Sequence, residues 1–321
     1  MERTWNAIDF DLSRGEVPEG IAFDGEGRLH VGLAPLGRIL RIGPDGTQTT
    51  FASLLAAPIP AGGPPGLLGL ASTATGDLYA ALVSFDPATH GVYRIGGQTG
   101  AFERLPGSQA ICWPNALAFD QQGNLYVTES TRVCSGEPAV GAVWRIPPGG
   151  NAEVWTESAA LAGNGALGLQ VPIGANGITF RPGGEGGGTL IVANTETGAL
   201  LSIPIRPDGS AGEVETLVQD QRLLPLDGIV LDDQGAIYAM VIGQNRIVKV
   251  SPEGTDLEVV ADQTDGLVLP VNAAFGTRGE DRQRLFVANF ALPAAVLPDG
   301  FPPPKPGIVV IDAGGPGAPL P

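Results

Sequence analysis

The chain has 321 residues, 43% of them hydrophobic, so it is long enough to bury a substantial core. Its 34 acidic and 18 basic residues give a formal net charge of −16, which argues against nucleic acid or an anionic membrane surface as a partner. No apolar stretch approaches the roughly 20 residues that span a bilayer, and residues 1–6 do not resemble a secretion signal. We expect a soluble protein, either cytoplasmic or exported with its signal removed.

A pattern of short apolar runs separated by turns recurs six times along the chain. The repeats begin with EGIAF (19–23), LGLAS (68–72), NALAF (115–119), NGITF (176–180), DGIVL (227–231) and NAAFG (272–276). Their third runs also agree: GRILRI (37–42), GVYRI (91–95), GAVWRI (141–146), GALLSI (198–203), NRIVKV (245–250) and GIVVI (307–311). Consecutive repeats begin 45 to 61 residues apart, which is the length of a four-stranded propeller blade.

The clearest repeat, residues 225–254, contains an apolar run, an acidic-Gly turn and two further short runs, and a fourth run follows it. The sequence therefore predicts an all-β fold, a six-bladed β-propeller of four-stranded antiparallel blades, as one domain over residues 1–321. Its blades start near residues 19, 68, 115, 176, 227 and 272, and residues 313–321 are expected to form a flexible tail.

The sixth repeat ends after its third run, because a Gly/Pro-rich segment follows it. Residues 5–12, WNAIDFDL, alternate apolar and polar side chains and precede the first repeat. We expect this N-terminal segment to supply the missing outer strand of the last blade, which would close the ring and leave no exposed end blade.

The innermost strand of each propeller blade lines the central tunnel, so its first residue lies at the tunnel mouth. These six mouth residues are Glu19, Leu68, Asn115, Asn176, Asp227 and Asn272. Five carry side-chain oxygen and none is cationic, which predicts a bound divalent cation, with calcium favoured by hard oxygen ligands from separate blades. The alternative is a polar, water-filled tunnel, since Asn and Asp are common where strands begin after turns.

Four stretches carry a resemblance to a known family: EGIAFDGEGRLHVG (19–32), PNALAFDQQGNLYVTES (114–130), ANGITF with TLIVANTETGALLSIPI (175–180 and 189–205), and DGIVLDDQGAIYA (227–239). The chain resembles the gluconolactonase, regucalcin and senescence-marker-protein family, to which diisopropyl fluorophosphatase and the paraoxonases are more distantly similar. By that resemblance Glu19, Asn176 and Asp227 match the ligands of a catalytic calcium or other divalent ion. Asn115 matches a position that binds metal or substrate, and Asn272 fits a role near the substrate.

The resemblance implies a calcium-dependent hydrolase that opens a lactone, with Asp227 activating water or attacking directly. A phosphotriesterase or arylesterase is an alternative, as is a non-enzymatic propeller scaffold with a structural calcium. We expect a small-molecule lactone or ester as substrate, and a monomer.

Sugar-lactone members usually have a basic residue where this chain has Trp113, and an Asp where it has Ala116. Two apolar loops, residues 54–68 and 291–304, also lie on the predicted active face. These departures predict a fairly apolar pocket with Trp113 among its substrate contacts, although the loops could equally pack on the propeller. His90 is a further candidate substrate contact on this face, and His30 is expected to be packed inside a strand.

The two cysteines, Cys112 and Cys134, fall in loops on one face of the third blade. A disulfide between them is sterically reasonable and would favour an exported protein. A pair of buried or free thiols is the alternative.

Overall fold

The short apolar runs of the sequence form strands in the computed structural model, which describes residues 8–43, 45–137, 139–184, 187–291, 303 and 305–321. Gly-containing turns end most runs, so each run pairs with the next along the chain and builds an antiparallel sheet. The described residues form six sheets of four strands each, which confirms the predicted six-bladed propeller.

The strands of each blade are given from the tunnel outward. Blade one contains β2 (Pro18–Phe23), β3 (Leu29–Leu33), β4 (Arg38–Ile42) and β5 (Gln48–Ser53). Blade two contains β6 (Gly66–Ser72), β7 (Leu78–Val83), β8 (Gly91–Ile95) and β9 (Phe102–Arg104). Blade three contains β10 (Pro114–Phe119), β11 (Leu125–Glu129), β12 (Gly141–Ile146) and β13 (Glu153–Ser158). Blade four contains β14 (Ala175–Pro182), β15 (Gly188–Asn194), β16 (Ala199–Ile205) and β17 (Glu215–Gln219). Blade five contains β18 (Ile229–Leu231), β19 (Ile237–Val241), β20 (Arg246–Val250) and β21 (Leu257–Ala261). Blade six contains β22 (Pro270–Phe275), β23 (Arg284–Asn289), β24 (Gly307–Asp312) and the N-terminal β1 (Ile8–Asp9).

The N-terminal strand closes the ring as predicted. Ile8 pairs with Ile308 and Asp9 with Gly307 in antiparallel register, so β1 is the outer strand of blade six. Residues 5–7 of the predicted segment lie outside the described residues.

The hydrophobic core lies between the blades. Buried side chains form six clusters within the described residues, one for each pair of neighbouring blades. One cluster joins blade six to blade one through residues such as Ile21, Phe23 and Phe286, with Phe23 and Phe286 in edge contact at 4.7 Å. The ring is therefore held by apolar packing at every interface, which fixes the positions of the inner strands around the tunnel.

Small residues after the mouth residues allow neighbouring inner strands to approach closely. A Cβ on Gly20 would lie 2.2 Å from the carbonyl oxygen of Leu68, and one on Gly177 would lie 2.6 Å from that of Asp227. Only glycine fits such contacts without displacing the backbone. The glycines thus bring mouth residues of adjacent blades together.

The C-terminal tail, residues 313–321, crosses the face opposite the mouth residues. Gly317 forms an antiparallel bridge with Asp232, and Ala318 N donates to the Leu231 carbonyl at 3.0 Å. Across the tunnel, Ala74 N donates to the Pro321 carbonyl at 3.0 Å. The segment that we expected to be flexible thus hydrogen-bonds to blades five and two.

A substitution at Gly317 measures the contribution of the tail to stability. A Cβ there would lie 2.3 Å from the Phe275 Cβ, whereas a Cβ on Gly315 would meet nothing within 4 Å. Gly317→Ala is expected to lower the free energy of unfolding by about 1–3 kcal/mol through overpacking, and Gly315→Ala to change it by less than about 0.5 kcal/mol. Denaturant unfolding measures both, and equal values for the two variants would contradict a stabilising tail.

Candidate metal centre and active site

The mouth residues lie where the inner strands are irregular. The pairing register shifts between Pro18 and Ile21, between Pro114 and Leu117, and between Ala175 and Ile178. Glu19, Asn115 and Asn176 each fall inside one of these β-bulges. Because a bulge re-aims side chains, it allows these residues to leave the normal alternation of the strand.

In blade five the inner strand is shorter, and the mouth residue Asp227 lies before the strand instead of inside a β-bulge. Asp227 precedes β18 by two residues, and its backbone N–H donates to the Met240 carbonyl at 2.9 Å. Its own carbonyl accepts from Gly177 N at 3.2 Å, which ties it to blade four beside Asn176.

Glu19 and Asp227 supply the two carboxyl groups of the candidate centre. Glu19 is 6% exposed, and its Oε2 has no hydrogen-bond partner within the described part of the chain. Burial raises the pKa of Glu19 well above its ordinary value, and the charge of Asp227 raises it further. Burial also raises the pKa of Asp227 to about 8. A hydrogen bond from Asn176 acts in the opposite direction, because it stabilises the ionised carboxylate. Asp227 is partly accessible to solvent. The two acids therefore lie close enough to repel each other.

The two asparagines have their amide nitrogens hydrogen-bonded to hydroxyl groups of the protein. Asn115 Nδ2 donates to Ser130 Oγ at 2.9 Å, and Asn176 Nδ2 donates to Thr195 Oγ1 at 3.0 Å. Because the amide nitrogens are engaged in this way, each Oδ1 is left as an oxygen donor for a cation.

Hydroxyl groups on the second strand of blade three hold blades three and four together. Thr128 Oγ1 donates to the Asn176 carbonyl at 2.6 Å and accepts from Ala116 N at 3.0 Å. Ser130 Oγ donates to the Ala175 carbonyl at 2.7 Å. The sequence analysis missed these positioning residues, although polar side chains at the end of an otherwise apolar strand were a usable signal.

The two remaining mouth residues, Leu68 and Asn272, are weaker candidates for metal ligands. Leu68 is buried and carries no ligand atom. Asn272 Oδ1 accepts from the neighbouring Ala273 N at 3.0 Å, and Asn272 borders a cavity of about 600 Å³ in the tunnel. None of the four candidate ligands lines this cavity, which extends along the inner strands to the C-terminal tail. A substrate contact for Asn272 stays a prediction.

The donor set fits a hard cation. No group of three or more His, Cys, Asp or Glu that could hold a metal occurs among the described residues. The candidate centre instead combines two carboxyls with two amides, and calcium accepts both kinds of oxygen. The charge of Asp227 raises the pKa of Glu19, and a hydrogen bond from Asn176 lowers that of Asp227, so the three side chains influence one another. Their role as ligands of one ion stays a prediction.

Both histidines are buried and engaged with protein atoms. His30 Nε2 lies 3.1 Å from Asp24 Oδ2 inside blade one, and burial lowers the pKa of His30 to about 4. His90 Nε2 donates to the Ile111 carbonyl at 2.8 Å, and its Nδ1 accepts from the backbone N–H groups of Ser84 and Phe85. With both ring nitrogens used, His90 supports a loop and has none free for the substrate contact predicted from the sequence.

Trp113 lies at the edge of the tunnel mouth, directly before β10 and half-buried. Its ring contacts Phe85 with centroids 5.5 Å apart. The predicted apolar loop at residues 54–68 is partly packed, with Leu54 buried and residues 60–63 exposed. Most of the second loop, residues 292–302 and 304, lies outside the described residues.

The two cysteines form a disulfide, with sulfur atoms 2.01 Å apart. Cys112 is buried, and its backbone N–H donates to Glu129 Oε1 at 2.6 Å. The same carboxylate accepts from Trp144 Nε1 at 2.9 Å and pairs with Arg132. Glu129 is therefore a structural acid that anchors the loop before Asn115.

The structure is an all-β propeller with oxygen-bearing side chains from separate blades at one tunnel mouth. A family model described as SMP-30/Gluconolactonase/LRE-like region matches residues 62–290, and the chain belongs to this family. The resemblance drawn from the sequence is therefore confirmed.

Solved structures share the fold at low sequence identity. A luciferin-regenerating enzyme is 15% identical with a TM-score of 0.68, covering 98% of each chain. Regucalcin from Agrobacterium tumefaciens, described as a calcium-binding protein, is 17% identical with a TM-score of 0.64, covering 95% of this chain and 93% of its own. A gluconolactonase from Xanthomonas campestris is 20% identical with a TM-score of 0.63, covering 92% and 87%. A search of curated proteins found no match. Within the described residues, no helix is long and apolar enough to cross a bilayer.

Proposed function

We propose that this protein is a calcium-dependent hydrolase that opens a lactone. The observation that carries the proposal is the pair of acids at the tunnel mouth, Glu19 and Asp227, which repel each other in a buried setting beside two amide oxygens. Such a pair is costly unless a cation or protons neutralise it.

The unpartnered Glu19 Oε2 is the strongest sign that a cation belongs here. A buried carboxylate oxygen without a donor loses its hydration and gains nothing in return. Glu19, Asn176 and Asp227 would hold the ion, with Asn115 as a fourth oxygen ligand or a substrate contact. Neighbouring acids and amides of this type suit calcium better than zinc, which prefers nitrogen and sulfur.

The residues of the chain can carry out ring opening around such an ion. When bound, a divalent cation would polarise the substrate carbonyl and stabilise negative charge on its oxygen. Asp227 accepts a proton from the attacking water, whose oxygen bonds to the carbonyl carbon. The ring C–O bond then breaks, and Asp227 returns the proton to the departing ring oxygen to give a hydroxy acid.

Asn176 keeps Asp227 in place for this role. Its hydrogen bond to Asp227 favours the ionised carboxylate, which is the form that acts as a base. Thr195 fixes the Asn176 amide from the other side. A positive charge nearby would lower the pKa of Asp227 from about 8, which favours the ionised form and weakens it as a base.

One observation favours a second candidate function. A structural neighbour, the Agrobacterium regucalcin, is described as calcium-binding, and a calcium centre can be structural without chemistry. On this alternative the propeller is a binding scaffold whose calcium fixes the inner strands.

A substrate panel with and without chelator tests the proposal. Aliphatic lactones, aryl esters and phosphotriesters would be assayed with calcium, after removal of calcium with EGTA, and after its return. We expect lactone hydrolysis that EGTA abolishes and calcium restores. Activity confined to phosphotriesters or aryl esters would change the substrate class. Calcium binding without turnover would favour the scaffold, and absence of both would remove the metal centre.

A further inference from the structure

Phe85 is an exposed aromatic residue held in an unusual backbone conformation. It is 55% exposed and follows β7 in the loop that leads to β8. Because Gly66 at the start of β6 pairs with Val83 at the end of β7, this loop lies on the face of the mouth residues. Phe85 has a φ of 57°, in the left-handed region that bulky residues rarely adopt and that is over-represented at ligand-binding positions.

A buried histidine holds this conformation. His90 Nδ1 accepts from Ser84 N at 3.3 Å and from Phe85 N at 3.4 Å, while Nε2 donates to the Ile111 carbonyl in the next blade. The His90 ring also lies nearly parallel to the Phe85 ring, with an interplanar angle of 26° and centroids 6.1 Å apart. The position of Phe85 is thus set by a residue that bridges blades two and three.

The exposed ring contacts a residue that is close in sequence to the candidate ligand Asn115. Phe85 meets Trp113 edge to face at 5.5 Å, and Trp113 lies two residues before Asn115. We call Phe85 and Trp113 the aromatic wall. It borders the mouth between blades two and three and has partly open surface on both side chains.

We propose that the aromatic wall is a substrate subsite for an uncharged aromatic substituent next to the reacting carbonyl. Two aromatic rings in edge-to-face contact leave ring surface exposed, and a third aromatic ring can pack against that surface. The identity of the reaction rests on the proposed function, whereas the binding preference does not.

Charge around the aromatic wall disfavours an anionic substituent. The two acids at the mouth, Glu19 and Asp227, would balance the charge of a bound divalent cation and leave no excess positive charge for a further carboxylate. Nearby cations are engaged with protein atoms: Arg104 donates to the carbonyls of Pro87 and His90, and Arg132 pairs with Glu129 and Glu157. A carboxylate on the substituent would therefore find no free counter-charge at the aromatic wall.

Two lactams test the subsite without requiring turnover. One six-membered lactam carries a phenyl group on the ring carbon next to the carbonyl, and its partner carries a methyl group there. Lactams retain the carbonyl but resist hydrolysis, so calorimetry on the full chain with calcium measures binding alone. Wild type is expected to bind the phenyl compound about 10-fold more tightly than the methyl compound. In Phe85→Ala the preference should fall to about twofold or less.

Two further variants test whether the phenyl preference depends on the Phe85 ring itself. Phe85→Gly also removes the ring but suits a positive φ, so it should lose the preference while folding at least as well as wild type. Phe102→Ala removes another exposed phenylalanine, on the outer strand β9 against Tyr93, and should keep the preference. No phenyl preference in wild type, including no binding of either lactam, would overturn the subsite, as would a preference that survives in both Phe85 variants. A Phe85-dependent preference in a protein that hydrolyses no lactone would support the subsite and reject the hydrolase.

Discussion

Asp227→Asn is expected to lower kcat/KM for the best lactone by about 10³-fold or more, because it removes both a general base and a ligand charge. Asparagine has nearly the shape of aspartate, and the backbone hydrogen bonds of residue 227 to Met240 and Gly177 do not involve the side chain. The fold should therefore persist. Steady-state kinetics at saturating calcium measures the loss of the base separately from weaker calcium binding.

The matched control is Asp233→Asn in the same blade. Asp233 is exposed, and it lies in the turn between β18 and β19, on the face opposite the mouth residues. It loses the same charge without touching the candidate centre, so its kcat/KM should stay within about twofold of wild type. An Asp227→Asn variant that keeps a tenth of wild-type activity at saturating calcium would exclude Asp227 as the base.

The architecture could be predicted because propeller repeats carry local patterns. Apolar runs and Gly-containing turns decide where strands start and stop, and their period decides the number of blades. Ring closure could also be predicted. The sixth repeat lacked a fourth strand, and the alternating apolar and polar side chains around Ile8 and Asp9 indicated a strand that could complete it.

The arrangement around the candidate centre could be predicted only in part. Glu19, Asn176 and Asp227 occupy equivalent places in three repeats, so the fold brings them to one face of the ring, and their convergence on one ion stays a prediction. The hydroxyl groups of Thr128 and Ser130 bind carbonyls 45 to 48 residues away in the next blade, and no periodicity encodes such contacts.

His90 shows the same limit for a single side chain. Its place in the loop between β7 and β8, on the face of the mouth residues, was correctly predicted from the sequence, and that place suggested a substrate contact. The bonds from both ring nitrogens depend on Ile111 in another blade and on the left-handed backbone at Phe85. Local sequence gives the position of a loop residue, but its neighbours across blades decide what it binds.

Calcium is expected to raise the stability of the protein, and more strongly at high pH. At a free concentration about 100 times its Kd, calcium should add about 2.7 kcal/mol to the free energy of unfolding. Without the ion, burial raises the pKa of Asp227 to about 8 and that of Glu19 well above its usual range, so the folded state holds protons that the unfolded state releases. Stability of the calcium-free protein therefore falls as pH rises from about 4 towards 8.

Calcium must displace these protons to bind, so its affinity is expected to fall as the pH is lowered. Below pH 8, each proton released makes the apparent Kd about 10-fold weaker per unit decrease in pH. Calorimetry in buffers of different ionisation enthalpy at pH 6.5 and 8.5 measures both the Kd and the protons released. A Kd that does not change between these pH values would contradict an ion bound by Asp227 and Glu19.

Glu19→Gln tests whether the Glu19 carboxylate is a calcium ligand and a source of the released protons. The substitution keeps a similar shape but removes one negative ligand, so calcium affinity should fall by about 100-fold or more and fewer protons should be released. Glu137→Gln removes a charge from an exposed loop after β11 in blade three and should leave Kd within about twofold. Similar losses in the two variants would mean that calcium responds to the overall charge of −16 and not to a built centre, because long-range attraction is shared by exposed and buried acids alike.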